Sequence, residues 1–194
     1  ALANYLARQI GRPLVVRRAS DLIASYVGET EQNLAKTFRG AQHDGAILLI
    51  DEADSFLHDR EAARHSWEVT AVNEMLTQME LFCGLLICTT NRLGQLDPAS
   101  LRRFAFKIKF DYLTQEQCWQ LFQAQAGPLP SGNEQAYRQA LNRLTILTAG
   151  DFATVRRQAA LLNLKLSAEE WLRRLTEECR AKPEQCHAPI GFMT

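Results

Sequence analysis

No run of apolar residues in the 194-residue chain approaches the roughly 18 to 20 needed to cross a bilayer, so no membrane-spanning helix is predicted. No signal peptide is visible at its start. An excess of one charge is also missing. Twenty-two basic side chains offset 22 acidic ones, which removes any overall positive field that would recruit nucleic acid or an anionic membrane, and nucleic acid is not an expected partner. The five cysteines include no C-x-x-C pair and are odd in number. Cys83 and Cys88 lie near or within an apolar run, so they are read as reduced, buried thiols. Cys179, Cys186 and His187 have a spacing too irregular for a metal-ligand set. Internal repeats and low-complexity tracts are absent. What remains is a chain 46% hydrophobic, enough for a core. At about 100–200 residues per domain it makes one large or two small units. These features agree with a soluble intracellular protein, and a cytoplasmic location is the expectation.

The most informative segment is Ile47-Leu48-Leu49-Ile50-Asp51-Glu52-Ala53-Asp54, an apolar run that ends in adjacent carboxylates. A buried parallel strand is apolar on both faces, so charge enters only where the strand emerges at its carboxyl end, the edge at which open α/β sheets bind ligands. In a nucleotide hydrolase the first acid holds the water shell of Mg²⁺ and the second polarises the attacking water. The competing reading is an acidic cluster opening the next helix, where negative charge suits the dipole.

A second apolar run, Leu85-Leu86-Ile87-Cys88, ends in Thr89-Thr90-Asn91, which puts Asn91 in reach of the same water. Leu101-Arg102-Arg103-Phe104 follows the turn-forming Asp97-Pro98 and holds two guanidinium groups near a bend. They read either as a solvated loop or as cations that neutralise a transferring phosphoryl group.

Periodicity supplies the remaining elements. A helix is predicted over about 1–10, ended by Gly11 and Pro13, and Leu14-Val15-Val16 reads as a strand. Thr30 is placed as the cap of a helix that buries Leu34, Phe38 and Ala41. Residues 66–80 carry the stripe Val69, Val72, Leu76 and Met79, and the polar stretch 58–65 reads as a mobile loop. Phe106-Lys107-Ile108-Lys109-Phe110 alternates at period two, as a strand does. From about residue 111 only helices are predicted, near 115–126, 133–144, 151–165 and 168–180. The expected division is therefore 1–110, an α/β unit, and 111–194, a small all-helical unit.

Taken together, the acids after a strand, then Thr-Thr-Asn, then Leu-Asp-Pro-Ala-x-Leu-Arg-Arg-Phe strongly resemble the AAA+ ATPases, specifically the AAA group of protein-remodelling motors. Ser25-Tyr26-Val27-Gly28-Glu29-Thr30 resembles that group's first pore loop running into its helix. The resemblance implies a parallel P-loop NTPase sheet flanked by helices and followed by a helical lid that closes over adenine. It implies ATP and Mg²⁺ as cofactors, Asp51 and Glu52 as the Walker B pair with Asp51 serving the metal, Asn91 as sensor 1, and Arg102 and Arg103 as arginine-finger positions. The group often separates those arginines by two residues; here they are adjacent. Tyr26, Val27 and Gly28 then grip polypeptide, with Tyr26 packed under its own loop as the alternative. Gly150 and Asp151 open the third lid helix near the nucleotide, where many relatives carry a sensor 2 arginine; Arg156, more than a turn further on, is either a substitute or an ordinary exposed arginine.

One part of the pattern is absent: no Gly-x-x-x-x-Gly-Lys-[Ser/Thr] occurs, and Lys36-Thr37 does not qualify. By the resemblance the chain begins directly after that loop and lacks the strand before it, so weak ATP binding and unpaired strand edges are expected of these residues alone. The expected function of the whole protein is Mg²⁺-dependent ATP hydrolysis coupled to protein remodelling or unfolding by a homo-oligomeric ring, six subunits being the expectation. The alternative is an ATP-gated scaffold or regulatory module that threads nothing, and a nucleic-acid-directed machine ranks third.

Overall fold

Three apolar runs pair as β1 (Leu14–Arg18), β2 (Ile47–Asp51) and β3 (Leu86–Cys88), forming a parallel sheet in the order β1-β2-β3. The computed structural model describes residues 2–26, 28–58, 66–128 and 132–182. It divides into two compact units, residues 1–107 and 108–194.

In the first unit β2 lies between its neighbours, and Ile47, Leu48 and Ile50 are fully buried, as a central parallel strand requires. Register pairs Leu14 with Ile47 and Ile50 with Cys88, so the carboxyl ends of β2 and β3 finish side by side. Parallel neighbours need crossovers, supplied here by helices. After α1 (Leu2–Ile10) and β1, the short α2 (Ala19–Leu22) and α3 (Glu29–His43) lead to β2, while α4 (Asp54–Leu57) and α5 (Ser66–Leu81) lead to β3. α3 buries Leu34, Phe38 and Ala41, the stripe expected of it. α5 buries Ala71, Val72, Met75 and Leu76. A short 3₁₀ turn (Leu93–Gln95) and α6 (Pro98–Arg103) complete the unit. Asp97 caps α6 by accepting the Ala99 amide at 2.7 Å, and Pro98 occupies the first turn, where its missing N–H costs nothing.

The second unit contains α7 (Gln115–Ala126), α8 (Glu134–Asn142), α9 (Ala149–Leu161) and α10 (Ala168–Arg180). Capping boxes start three of them, at Thr114 with Gln117, Thr148 with Asp151, and Ser167 with Glu170. Trp119, Phe122, Leu141, Phe152, Trp171 and Leu175 form a core of their own.

Three expectations change. Residues 106–110 are not a strand: they have no ladder partner among the described residues, and Phe106, Ile108 and Phe110 are 83%, 67% and 76% exposed. Alternation shows which side chains can share a face, whereas a strand also needs an edge to bond to. Thr30 does not cap α3. Gly28 does, at φ 87°, and the Thr30 hydroxyl instead accepts the Ala24 amide at 3.0 Å, fastening the loop before the helix. Cys83 is exposed and Cys88 half-buried, while Cys118 and Cys179 are the buried thiols. Of the polar stretch 58–65 only His58 is described, and it forms an antiparallel bridge with Leu96. Val27, Cys186 and His187 lie outside the described residues.

Candidate nucleotide site

Asp51 is the last residue of β2 and is half-buried; Glu52, the next residue, is exposed. The backbone separates them. Glu52 adopts φ 57°, in the left-handed region that costs an L-residue about 1–2 kcal/mol. Such a conformation in a non-glycine residue is held only where its surroundings fix it, and such positions cluster at functional sites. Here the surroundings are Thr89. Its hydroxyl donates to Asp51 Oδ1 and accepts the Glu52 amide at 3.2 Å. Its backbone adds two bonds, from the Thr89 amide to the Ile50 carbonyl at 3.1 Å and from the Ala53 amide to the Thr89 carbonyl at 2.9 Å. Thr90 repeats the pattern one residue on, donating to Asp54 at 3.3 Å and accepting the Arg92 amide at 2.9 Å.

Asn91 is two residues beyond Thr89, hence within about 7 Å of it along the chain. Its amide is exposed and has no hydrogen-bond partner among the described residues. Asp51, Glu52 and Asn91 thus leave the sheet at one edge with Thr89 as the tie between strands. The tie itself was not read from the sequence. Its signal was a hydroxyl residue one position past β3, next to the acid that ends β2, and it becomes visible once the register is known.

Arg102 and Arg103 lie in the last turn of α6, a helix rather than a solvated loop. Arg103 is engaged: its Nε and Nη2 donate to Glu80 Oε1 at 2.8 and 2.5 Å, and its Nη1 to the Ala99 carbonyl at 2.9 Å. Arg102 is exposed and has no partner among the described residues.

Tyr26 is 74% exposed, so it does not pack under its loop. The loop around it is fixed at its base, where the Glu29 amide bonds to the Tyr26 carbonyl at 3.3 Å and Asn33 Nδ2 donates to the Leu22 carbonyl at 3.2 Å.

In the second unit Gly150 lies within the first turn of α9, whose cap is Thr148. Asp151 is buried, and its Oδ2 accepts the Thr148 amide at 2.7 Å, the Thr148 hydroxyl at 2.9 Å and Lys182 Nζ at 2.7 Å. Lys182 also donates to the Ile146 carbonyl at 2.6 Å. Asp151 therefore holds its own unit together through the oxygen best placed to do so. Arg156 is exposed and unpartnered among the described residues.

The cysteines are poor nucleophiles where they are covered. Burial pushes the Cys88 thiol up to about 12. Burial, then the charge of Asp151, raises Cys118, and burial leads the causes that raise Cys179.

The donor chemistry at the carboxyl end of β2 fits a hard cation. Asp51, Glu52, Thr89 and Asn91 offer oxygen, the atom that Mg²⁺ takes, commonly through retained waters. Asp51 keeps Oδ2 clear of Thr89. A phosphate cradle is not among these residues, since the glycine-rich loop does not occur in the 194 residues.

Comparison with known proteins shows the family. The model of the "ATPase family associated with various cellular activities (AAA)" matches residues 1–112, and the chain belongs to that family. Spastin of Drosophila melanogaster is 29% identical over 177 residues, covering 82% of this chain, and spastin of Drosophila grimshawi is 30% identical over 176. The chain spans 22% of the length of those curated relatives. An uncharacterized AAA family ATPase, y4kL of Sinorhizobium fredii, is 35% identical over 112 residues, 56% of this chain and 34% of that protein. Among solved structures, a chain of the E. coli MS115-1 HORMA:CdnC:Trip13 complex superposes with a TM-score of 0.68 at 23% identity, covering 89% of this chain and 66% of that one, a likeness of fold. No helix among the described residues is long and apolar enough to cross a membrane.

Proposed function

We propose that these residues form the Walker B, sensor and pore-loop part of an ATP-hydrolysing motor that remodels polypeptides as a ring, six subunits being the reading by family. A cytoplasmic location belongs to the same proposal. The observation that carries it is the left-handed, exposed Glu52 directly after the half-buried Asp51, both tied to Thr89 at the sheet edge that leads to Asn91. Two adjacent acids, one half-buried and one exposed on a left-handed backbone, suit two tasks. Mg·ATP, when bound, supplies the phosphoryl group and the Lewis acidity that activates it. Asp51, fixed through one carboxylate oxygen, offers the other to a cation's water shell. Glu52, exposed, accepts a proton from the attacking water, and the Asn91 amide orients that water. Arg102, without a partner among the described residues, is the arginine proposed for a neighbour's phosphoryl group.

Substrate contact falls to Tyr26 and to Gly28, whose φ of 87° gives the loop its turn. An exposed aromatic ring on a fixed loop presses on any extended chain without reading its sequence. Gly150, Asp151 and Arg156 are assigned to the adenine side, Asp151 by positioning the start of α9.

The test uses a polypeptide in which a family phosphate-binding loop precedes Ala1. Glu52→Gln is expected to keep Mg·ATP binding and lower turnover by about 10²–10⁴. Tyr26→Ala is expected to keep turnover and lose unfolding of a tagged substrate. Unimpaired unfolding by Tyr26→Ala removes the motor reading and leaves the ATP-gated scaffold.

A further inference from the structure

A cleft of about 400 Å³ opens between the last turns of α3 and α5. It lies at the end of the sheet opposite Asp51, since α3 runs into the amino end of β2 and α5 into that of β3. β2 alone puts about 13 Å between Ile47 and Asp51. The chemistry assigned to Asp51, Glu52 and Asn91 makes no use of this cleft.

Its floor is aromatic and fixed. The buried Phe38 meets Phe82 edge to face, with ring centroids 5.4 Å apart at 87°. Residue 84 is glycine, and a Cβ there would overlap the Phe82 ring. Gln42 Oε1 accepts the Cys83 amide at 3.4 Å and ties the segment after α5 back to α3. Leu81, 64% exposed, adds an apolar wall.

No carboxylate lines the cleft among the described residues, whereas Arg39 does. Only the Nε of Arg39 is engaged, donating to the Ala35 carbonyl at 3.2 Å; its two terminal nitrogens have no partner among the described residues. The acids next to the lining residues are already occupied: Asp44 bonds to His43 at 3.1 Å, Glu74 accepts from Gln78 at 2.8 Å, and Glu80 pairs with Arg103. Gln42 keeps its Nε2, and Gln78 its Oε1, without a partner among the described residues. One donor and one acceptor are the complement of a peptide unit's C=O and N–H.

From this combination we infer that the cleft docks an extended segment of a partner polypeptide that carries a carboxylate beside a large apolar side chain. The terminal nitrogens of Arg39 take the carboxylate in a two-point, charge-assisted hydrogen bond. Phe82 and Leu81 cover the apolar side chain, and Gln42 and Gln78 hold the backbone between. The volume lies toward the lower end of the roughly 300–1,000 Å³ typical of ligand clefts, which matches a side chain or two. The floor is set before anything enters, so binding loses little to ordering. A lysine in place of the acid meets Arg39 with like charge. A partner held there leaves the nucleotide edge of the sheet open.

The 194-residue chain is titrated into fluorescein-labelled serine–glycine peptides of equal length that carry Glu-Phe, Gln-Phe, Lys-Phe or Glu-Ser at the centre, and anisotropy is read. The Glu-Phe peptide is expected to bind about tenfold more tightly than Gln-Phe or Glu-Ser, and about 100-fold more tightly than Lys-Phe. Arg39→Gln should bring Glu-Phe within about threefold of Gln-Phe. Arg39→Glu should make Lys-Phe the tighter ligand, a reversal that loss of structure does not produce. Leu81→Ser should weaken Glu-Phe and Gln-Phe alike by about fivefold. Both substituted positions are exposed, and thermal melting followed by circular dichroism checks that each variant keeps its fold. Saturating Glu-Phe peptide should also slow iodoacetamide labelling of the exposed Cys83, the neighbour of Phe82. Equal binding of Glu-Phe and Lys-Phe overturns the inference, as do an acid preference that survives Arg39→Gln and failure of every peptide to bind. Binding that leaves the labelling of Cys83 unchanged puts the peptide elsewhere and overturns it too.

Discussion

The Thr89 hydroxyl joins the two acids it faces: it donates to the Asp51 carboxylate and accepts the Glu52 amide, 37 residues away in sequence. One side chain thereby sets both the direction of Asp51, the acid proposed to serve the metal, and the backbone that carries Glu52, the acid proposed to face the water. Thr89→Val keeps the branched shape and removes the hydroxyl. In the loop-bearing protein it should lower ATP turnover about 10- to 100-fold, the range for losing a group that orients a metal-site carboxylate, while Thr89→Ser stays near the parent. Equal turnover in Thr89→Val would mean that the hydroxyl is only a strand tie.

The two arginines of α6 should separate in the same assay. Arg102→Ala is expected to lower turnover about 10³-fold and to be restored by mixing with Glu52→Gln subunits, because some interfaces then contain both intact halves. Arg103→Ala should behave like Glu80→Ala, changing stability by about 0–1 kcal/mol, as a partly exposed ion pair does. If the two variants exchange these behaviours, Arg103 leaves Glu80 in the assembled ring and is the finger.

Asp151 and Lys182 make the most enclosed ion pair among the described residues, at 2.7 Å with side chains 10% and 23% exposed. Asp151→Ala removes that pair and the α9 capping box together and should cost about 3 kcal/mol, since it strands a covered cation. Urea unfolding followed by tryptophan fluorescence in a Trp67→Phe background isolates the effect, because the remaining Trp119 and Trp171 both belong to this unit's core. A shift under half that size would mean that Lys182 finds water when Asp151 is gone.

Thiol chemistry gives a pH-dependent check. A thiol whose pKa is raised stays protonated at about pH 8, and the protonated form is not the nucleophile. Iodoacetamide should therefore label the exposed Cys83 well before Cys88, Cys118 or Cys179, which react only on unfolding or as the pH climbs toward the raised values. Peptide mapping reads the order. Labelling of Cys88 as fast as Cys83 would show that the edge of β3 opens to solvent.

Much of the site was legible because the signals are local. The runs 47–50 and 86–88 are apolar from end to end and stop in polar residues, so their place in a parallel sheet and the edge they present follow from the sequence pattern. The helices of the second unit were placed to within a few residues by caps and breakers. What escaped depends on partners distant in sequence. Thr89 bridges to Asp51 across 38 residues, Glu80 reaches Arg103 across 23, and Lys182 reaches Asp151 across 31. Residues 106–110 were misread for a related reason: their alternation is genuine, but a strand is a relationship between two segments and the sequence shows one. Thr30 was misread because Gly28, two residues earlier, tolerates the left-handed turn and takes the cap position first.

The positive φ at Glu52 sets heat resistance against the activity proposed for its carboxylate. Glycine occupies that conformation without a Cβ penalty, so Glu52→Gly should be neutral or stabilising by up to about 1 kcal/mol, even though it deletes the carboxylate. Directed evolution scored on melting temperature alone would accept that change early and, if Glu52 has its proposed role, accumulate robust, catalytically silent subunits. A library built on this scaffold therefore has to be screened for turnover at every round.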